Sequence, residues 1–183
     1  MGKYTLYHEE AVLIIIDIQE RFIPVMTYAE QIITNTITLI KTAEKLKIPI
    51  LVTEQYPKGL GKTVPSIQEN ISEATFFEKM TFSSCIPELI EHLKKLNRRK
   101  ILIVGMETQV CVFQTVRDLL EMGYEVFAVS DAICSRTKPN YRNALTMMLD
   151  MGAVITNTET VFFDLLKQAG TPEFKELSSK YIK

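Results

Sequence analysis

Three side chains sit where their surroundings in the sequence suit them to chemistry: Asp17, Lys79 and Cys111. Asp17 closes the apolar run Val12-Leu13-Ile14-Ile15-Ile16. A carboxylate there is shielded from water and needs a partner. It reads either as a helix cap or loop hydrogen bond, or as a general base. Cys111 follows Gly105-Met106-Glu107-Thr108-Gln109-Val110 and falls at or just inside the start of a helical pattern. Amides at a helix start point outward with partial positive charge. They lower a thiol's pKa and can hold an oxyanion. The competing reading is a small buried apolar side chain, which many free cysteines are. Cys85 and Cys134 fit that second reading better. Cys85 begins a helix, but no carboxylate follows a strand beside it, and Cys134 falls in a loop after Asp131. Lys79 lies in Phe76-Phe77-Glu78-Lys79-Met80-Thr81-Phe82, among apolar residues that could bury it. Alone it would be read as solvated. It gains weight only if the fold brings it to Asp17 and Cys111.

The elements that must position these groups alternate between strand and helix. Residues 12–16, 48–53, 101–104, 126–129 and 153–156 are continuous apolar, β-branched runs, the signature of strands buried on both faces. Phe76-Phe77 marks a short further strand. Helical spacing covers 29–47, 86–96, 110–122 and 140–151, and the last two patterns stop at Gly123 and Gly152. Such alternation argues for a parallel sheet covered on both sides. Segment 55–72 has no period and reads as a long loop able to carry function. In open α/β sheets ligands bind beyond the carboxyl ends of the strands, where strand order reverses. The strand ends there are Asp17, Glu54-Gln55, Gly105 and Ser130-Asp131.

Composition narrows the field. The 183 residues suit one domain, 1–183, with 46% apolar and 23% charged residues. Lys plus Arg number 21 against 22 Asp plus Glu, which gives no nucleic-acid footprint. The basic run Asn97-Arg98-Arg99-Lys100 reads as a solvated helix-to-strand loop. Residues 1–10 are polar and the run 11–16 is too short for a signal core or a membrane span. Three cysteines, without metal-type spacing, fit a reduced, cytoplasmic setting. Two distant histidines, His8 and His92, make a histidine-based metal site unlikely to form.

Four stretches, taken in order, resemble the isochorismatase-like cysteine hydrolase family. They are Ile14-Ile15-Ile16-Asp17-Ile18-Gln19, Thr53-Glu54-Gln55-Tyr56-Pro57-Lys58-Gly59-Leu60-Gly61, Glu78-Lys79-Met80-Thr81-Phe82-Ser83 and Val104-Gly105-Met106-Glu107-Thr108-Gln109-Val110-Cys111-Val112. The second stretch and Pro172-Glu173-Phe174-Lys175-Glu176 resemble the isochorismatase-domain-containing branch. The resemblance implies a Rossmann-like three-layer α/β/α fold, with a mostly parallel sheet of about six strands in the order 3-2-1-4-5-6. It implies a catalytic triad of Asp17, Lys79 and Cys111, a cis peptide at Met106–Glu107, and an oxyanion hole made by the Glu107 and Cys111 amides. Metal-dependent nicotinamidases of the family bind their ion through an Asp and two His residues after the second strand. This chain has no His between His8 and His92, so no metal and no other cofactor is expected. Isochorismatases proper lack the nucleophilic cysteine, which argues against isochorismate as substrate.

The function expected is therefore hydrolysis of a C–N bond, amide or carbamoyl, in a small molecule through a Cys111 thioester. Gln19, Phe22, Gln55, Tyr56 and Phe82 are placed around the substrate, although Phe22 and Tyr56 could equally be packing residues. Lys58 and Lys62 are candidates to attract a substrate carboxylate, or plain surface lysines. The rival readings are a vinyl-ether hydrolase of the isochorismatase type and a non-catalytic binding protein on the same fold. A dinucleotide-binding fold lacks support, because Asp17-Ile18-Gln19-Glu20-Arg21 replaces the glycine-rich turn. No nucleic-acid or membrane partner is expected. The resemblance implies a homo-oligomer with an even number of subunits. Met and aromatic side chains around 141–163 read either as its contacts or, for Met147, Met148 and Met151, equally as core.

Overall fold

The structure is a computed structural model that describes residues 2–182. Its centre is a six-stranded, wholly parallel sheet in the order β3-β2-β1-β4-β5-β6, as the resemblance implied. The strands are β1 (Ala11–Ile16), β2 (Ile50–Gln55), β3 (Thr75–Lys79), β4 (Lys100–Met106), β5 (Glu125–Cys134) and β6 (Val154–Thr156). The long helices are α1 (Ala29–Lys45), α4 (Pro87–Leu96), α5 (Phe113–Glu121), α6 (Lys138–Asp150), α7 (Thr158–Leu166) and α8 (Pro172–Tyr181). No helix among the described residues is long and apolar enough to cross a membrane.

The two-residue alternation of a strand sorts its side chains between the two helical layers. Leu13 and Ile15 of β1 join the cluster built with Ile32, Leu39 and Ile40 of α1 and Val161 and Leu165 of α7. Val12, Ile14 and Ile16 join the opposite cluster, with Leu89 and Leu93 of α4, Val116 and Leu119 of α5 and Met148 of α6. Every residue of β1 is buried, which is why its sequence is apolar without a break.

Several expectations need correction. Segment 55–72 is not one irregular loop: it holds two single turns of helix, α2 (Pro57–Leu60) and α3 (Pro65–Gln68), each opened by a proline whose fixed φ favours a helix start. At four residues each they are too short to show a period. β5 does not stop at Ser130-Asp131 but continues to Cys134, so Cys134 ends a strand rather than lying in a loop. The register between β4 and β5 shifts between Ile103 and Gly105, and that irregularity hides the continuation in the sequence pattern. The basic run 97–100 is only partly solvated. Arg98 Nη1 donates to the carbonyls of His8 at 2.6 Å and Ala11 at 3.0 Å, and Lys100 is buried beside Glu125.

Candidate active site

The parallel register brings four strand ends level. Ile16 of β1 faces Thr53 of β2 on one side and Gly105 of β4 on the other, and Gln55 of β2 faces Lys79, the last residue of β3. Strand order reverses between β1 and β4, so the group next in line after β1, Asp17, stands at the switch point. Two backbone features let the ends crowd together. Asp17 itself has φ 51°, a left-handed conformation that a short polar residue tolerates. Gly105 has φ 127°, and a Cβ there would stand 2.0 Å from the Ile16 carbonyl oxygen. Only glycine lets β4 end so close to β1.

The geometry brings Asp17 and Lys79 into direct contact. Lys79 Nζ lies 2.7 Å from Asp17 Oδ2, and both side chains are 0% exposed. Lys79 also donates to the carbonyls of Phe82 at 2.9 Å and Thr81 at 3.2 Å. The other Asp17 oxygen, Oδ1, accepts the Thr53 hydroxyl at 2.7 Å. The buried lysine ammonium thus has three acceptors and the carboxylate has a donor on each oxygen, which is what burial of a charge pair demands.

Cys111 lies in a π-helical turn, Thr108–Val112, that runs directly into α5. π-helical turns occur often at functional sites. The Met106–Glu107 peptide that leads into it is cis, as the resemblance implied. Thr115 Oγ1 donates to the Cys111 carbonyl at 2.6 Å and accepts the Ser84 amide at 2.8 Å, tying the turn to the β3–α4 loop. The thiol donates to Gln55 Oε1 at 3.2 Å and is buried. Its pKa does not fall, as a helix-start position suggested. Burial pushes it well above the ordinary thiol range, the Asp17 charge pushes the same way, and Lys79 opposes them. The resting thiol is therefore protonated, with its candidate base alongside. Burial also raises the other two thiols, Cys85 to about 11 and Cys134 to about 12.

The remaining candidates divide. Gln55 is buried and touches the thiol, while its amide nitrogen makes no hydrogen bond among the described residues. Gln19 is fully committed to backbone: its Nε2 donates to the carbonyls of Gln55 at 2.9 Å and Gly61 at 2.7 Å, and its Oε1 accepts the Gln55 amide at 2.8 Å. It is a clamp that fixes Gln55, and a free amide for a ligand is not what it offers. Phe22 is half-buried and packs on the α1-side core, so its packing reading holds. Tyr56 and Phe82 are about half exposed, at 48% and 53%. The Tyr56 amide donates to the Lys79 carbonyl at 2.9 Å, and its ring covers Gly59, where a Cβ would fall 2.2 Å from it. Lys62 is engaged by Glu54 at 3.1 Å and Glu78 at 2.9 Å, whereas Lys58 has no ion pair among the described residues.

Sequence reasoning missed Thr53, Ser84, Thr115 and the pairing of Glu107 with Arg136. Thr53 had a signal: a hydroxyl inside an apolar strand, in register beside Asp17. Ser84 and Thr115 had none, since their contacts cross 31 residues of sequence. Arg136 donates through Nε to Glu107 Oε2 at 2.9 Å across the β4–β5 ends. Among the described residues no group of three or more His, Cys, Asp or Glu is placed to hold a metal ion.

A Rossmann-like parallel sheet thus carries a buried Asp–Lys pair and a buried thiol at its switch point. Residues 11–160 match the Isochorismatase domain, and the chain belongs to that hydrolase family. It is similar to the secreted isochorismatase effector Isc1 of Phytophthora sojae, 41% identical with 97% of this chain and 87% of that protein covered. It is also similar to isochorismatase domain-containing protein 2 of Xenopus laevis, 37% identical with 97% and 85% covered. Among solved structures, one called MAR1 ribonuclease, from Caenorhabditis elegans, superposes with a TM-score of 0.91 at 40% identity, covering 96% of this chain and 91% of that one. The Escherichia coli ycaC gene product, described as an octameric hydrolase of unknown specificity, shares the fold at a TM-score of 0.91 and 20% identity, covering 100% and 93%.

Proposed function

We propose that the chain is a cysteine hydrolase that cleaves a C–N bond, amide or carbamoyl, in a small molecule, with Cys111 as nucleophile, Asp17 as general base and Lys79 holding the carboxylate. The observation that carries this reading is the 2.7 Å Asp17–Lys79 ion pair, wholly buried beside a protonated thiol. A buried ion pair contributes little net stability and often costs some. Charged groups kept in such a place are characteristic of catalytic sites. In the proposed reaction Asp17 takes the thiol proton as sulfur attacks the carbonyl carbon. The tetrahedral oxyanion is held by the amides of Glu107 and Cys111, and the proton passes to the leaving amine. A thioester remains, and water activated by Asp17 cleaves it to acid and free thiol. Gln55 orients the thiol and is free to donate its amide hydrogen to the substrate, while Tyr56 and Phe82 supply apolar contact at the rim. We place the enzyme in the cytoplasm as one domain that assembles into a homo-oligomer with an even number of subunits. The octameric relative and the frequency of symmetric oligomers support that assembly.

The name of the Phytophthora sojae relative favours a second reading, hydrolysis of the vinyl ether of isochorismate. One assay separates the two. Purified protein is offered a panel of small amides and carbamoyl compounds with ammonia release as readout, with isochorismate and single-stranded RNA as further arms, the latter because of the C. elegans neighbour. Ammonia release is expected to survive EDTA and to fall by at least about 10³-fold in Cys111→Ala, several kcal/mol of barrier. Turnover of isochorismate or RNA that Cys111→Ala leaves intact would sink the nucleophile assignment.

A further inference from the structure

The structure holds a cavity on the β5 side of the sheet. It measures about 330 Å3 and opens between the end of β5, the start of α6 and the start of α1. Neither Asp17, Lys79 nor Cys111 lines it. Its volume is at the small end of the range for small-molecule sites.

The charge on its wall is one-sided. Arg136, Lys138 and Arg142 line it, and Asp131 is the one acid among the lining residues. Asp131 Oδ1 accepts the amide and hydroxyl of Thr158 at 2.7 and 2.8 Å, and its single negative charge is outnumbered by the three cations. Arg136 meets Glu107 through Nε and leaves its terminal nitrogens without a hydrogen bond among the described residues. Lys138 and Arg142 are exposed and have no ion-pair partner among those residues. All three cations surround the first turn of the 13-residue α6, whose outward amides favour an anion. Thr137 caps the Asn140 amide and Pro139 has none, so the Lys138 amide is the donor left over. An independent sign of a missing partner comes from Ser135. It lines the cavity, is 5% exposed, and its buried hydroxyl has no hydrogen-bond partner. Buried hydroxyls are seldom left unpaired.

We propose that this cavity is a binding site for a small phosphomonoester. Its phosphate lies at the start of α6 against Lys138, Arg142 and the free nitrogens of Arg136, and Ser135 completes the polar wall. Tyr28 and Ile32 face the organic part. Two uncommitted cations with a third partly free suit a dianion better than a singly charged carboxylate. The cavity meets the proposed active site through one contact, Arg136 on Glu107, and its test reads phosphate binding alone, so it does not depend on the proposed reaction.

Calorimetric titration of the intact protein tests the assignment, with inorganic phosphate and glucose 6-phosphate as probes and glucose and acetate as controls. Both phosphate probes are expected to bind, with acetate at least about tenfold weaker and glucose silent. Arg142→Gln and Lys138→Gln are each expected to weaken phosphate about tenfold or more. Both side chains are exposed, so the melting temperature should not move and loss of binding is not loss of fold. Ser135→Ala should weaken binding less. Absence of heat with both phosphate probes, acetate binding as tightly as phosphate, or phosphate affinity unchanged in the Lys138→Gln/Arg142→Gln double variant would overturn the proposal.

Discussion

Cys111 keeps its proton at rest because burial and the neighbouring Asp17 carboxylate outweigh Lys79, while the Gln55 oxygen 3.2 Å away accepts the S–H. Attack therefore has to be coupled to proton removal, and the position of Asp17 gives the proton somewhere to go. This has a direct consequence for titration. In a Cys85→Ala/Cys134→Ala background, ultraviolet absorbance of the thiolate should show Cys111 ionising above the ordinary value of about 8.5. Asp17→Asn removes the charge that opposes the thiolate, so the midpoint should move down while catalysis is lost. A midpoint below about 8.5 in the unaltered site would mean that the helix-start amides win over burial, and that the thiolate is preformed. Sequence alone favoured that opposite outcome, since it showed the turn but not how deeply the thiol sits.

At the scale of elements, the site is made by strand ends that are held level. Gly105 is the residue on which this depends most, because the Ile16 carbonyl occupies the space of any side chain there. Gly105→Ala should lower the melting temperature by several degrees and abolish activity, since overpacking against backbone costs about 1–3 kcal/mol or more, and each kcal/mol moves a chain of this size about 2–4 °C. Gly123→Ala is the matched control: φ is again positive, at 83°, but nothing lies within 4 Å. It should cost far less and leave activity intact. Equal losses in the two variants would show that backbone conformation, and not the close approach of β4 to β1, sets the effect. Much of this architecture was legible in advance. Strands buried on both faces announce themselves as apolar runs, and Asp17 stood out because it ended one. The one-turn helices after β2, the far end of β5 and the hydrogen bonds from Ser84 and Thr115 were not legible. The helices are too short to leave a periodic trace, and the others depend on contacts between residues distant in sequence. Gln19 was visible as a site residue but not as a clamp, because its role follows from the backbone of a segment 36 residues further on.

For the molecule as a whole, the three thiols, two buried and Cys85 half-buried, make stability depend on alkaline pH. All three have pKa values raised by folding, Cys85 to about 11 and Cys134 to about 12. A raised thiol pKa means the folded chain holds protons that the unfolded chain has released. The contribution is complete below the unfolded value of about 8.5 and declines as pH rises toward the folded values. Between about pH 8.5 and 11 the melting temperature should therefore fall less steeply in Cys85→Ala/Cys134→Ala than in the unaltered chain. Parallel curves in calorimetry would show that the thiols do not differ between folded and unfolded states. Net charge is nearly balanced, at −1, so long-range repulsion changes little near neutral pH.

The most direct test of the central claim is to look for the covalent intermediate. The unaltered enzyme is mixed with amides that it hydrolyses and quenched in acid within the first turnovers, before water has cleaved the thioester. Intact-protein and peptide mass spectrometry then follow the acyl group. A mass increase equal to that group is expected on the peptide containing Cys111, and is absent when Cys111 is replaced by Ala. Substrate turnover by the unaltered enzyme with no adduct on Cys111 under any quench, or an adduct on Cys85 or Cys134 instead, would contradict it.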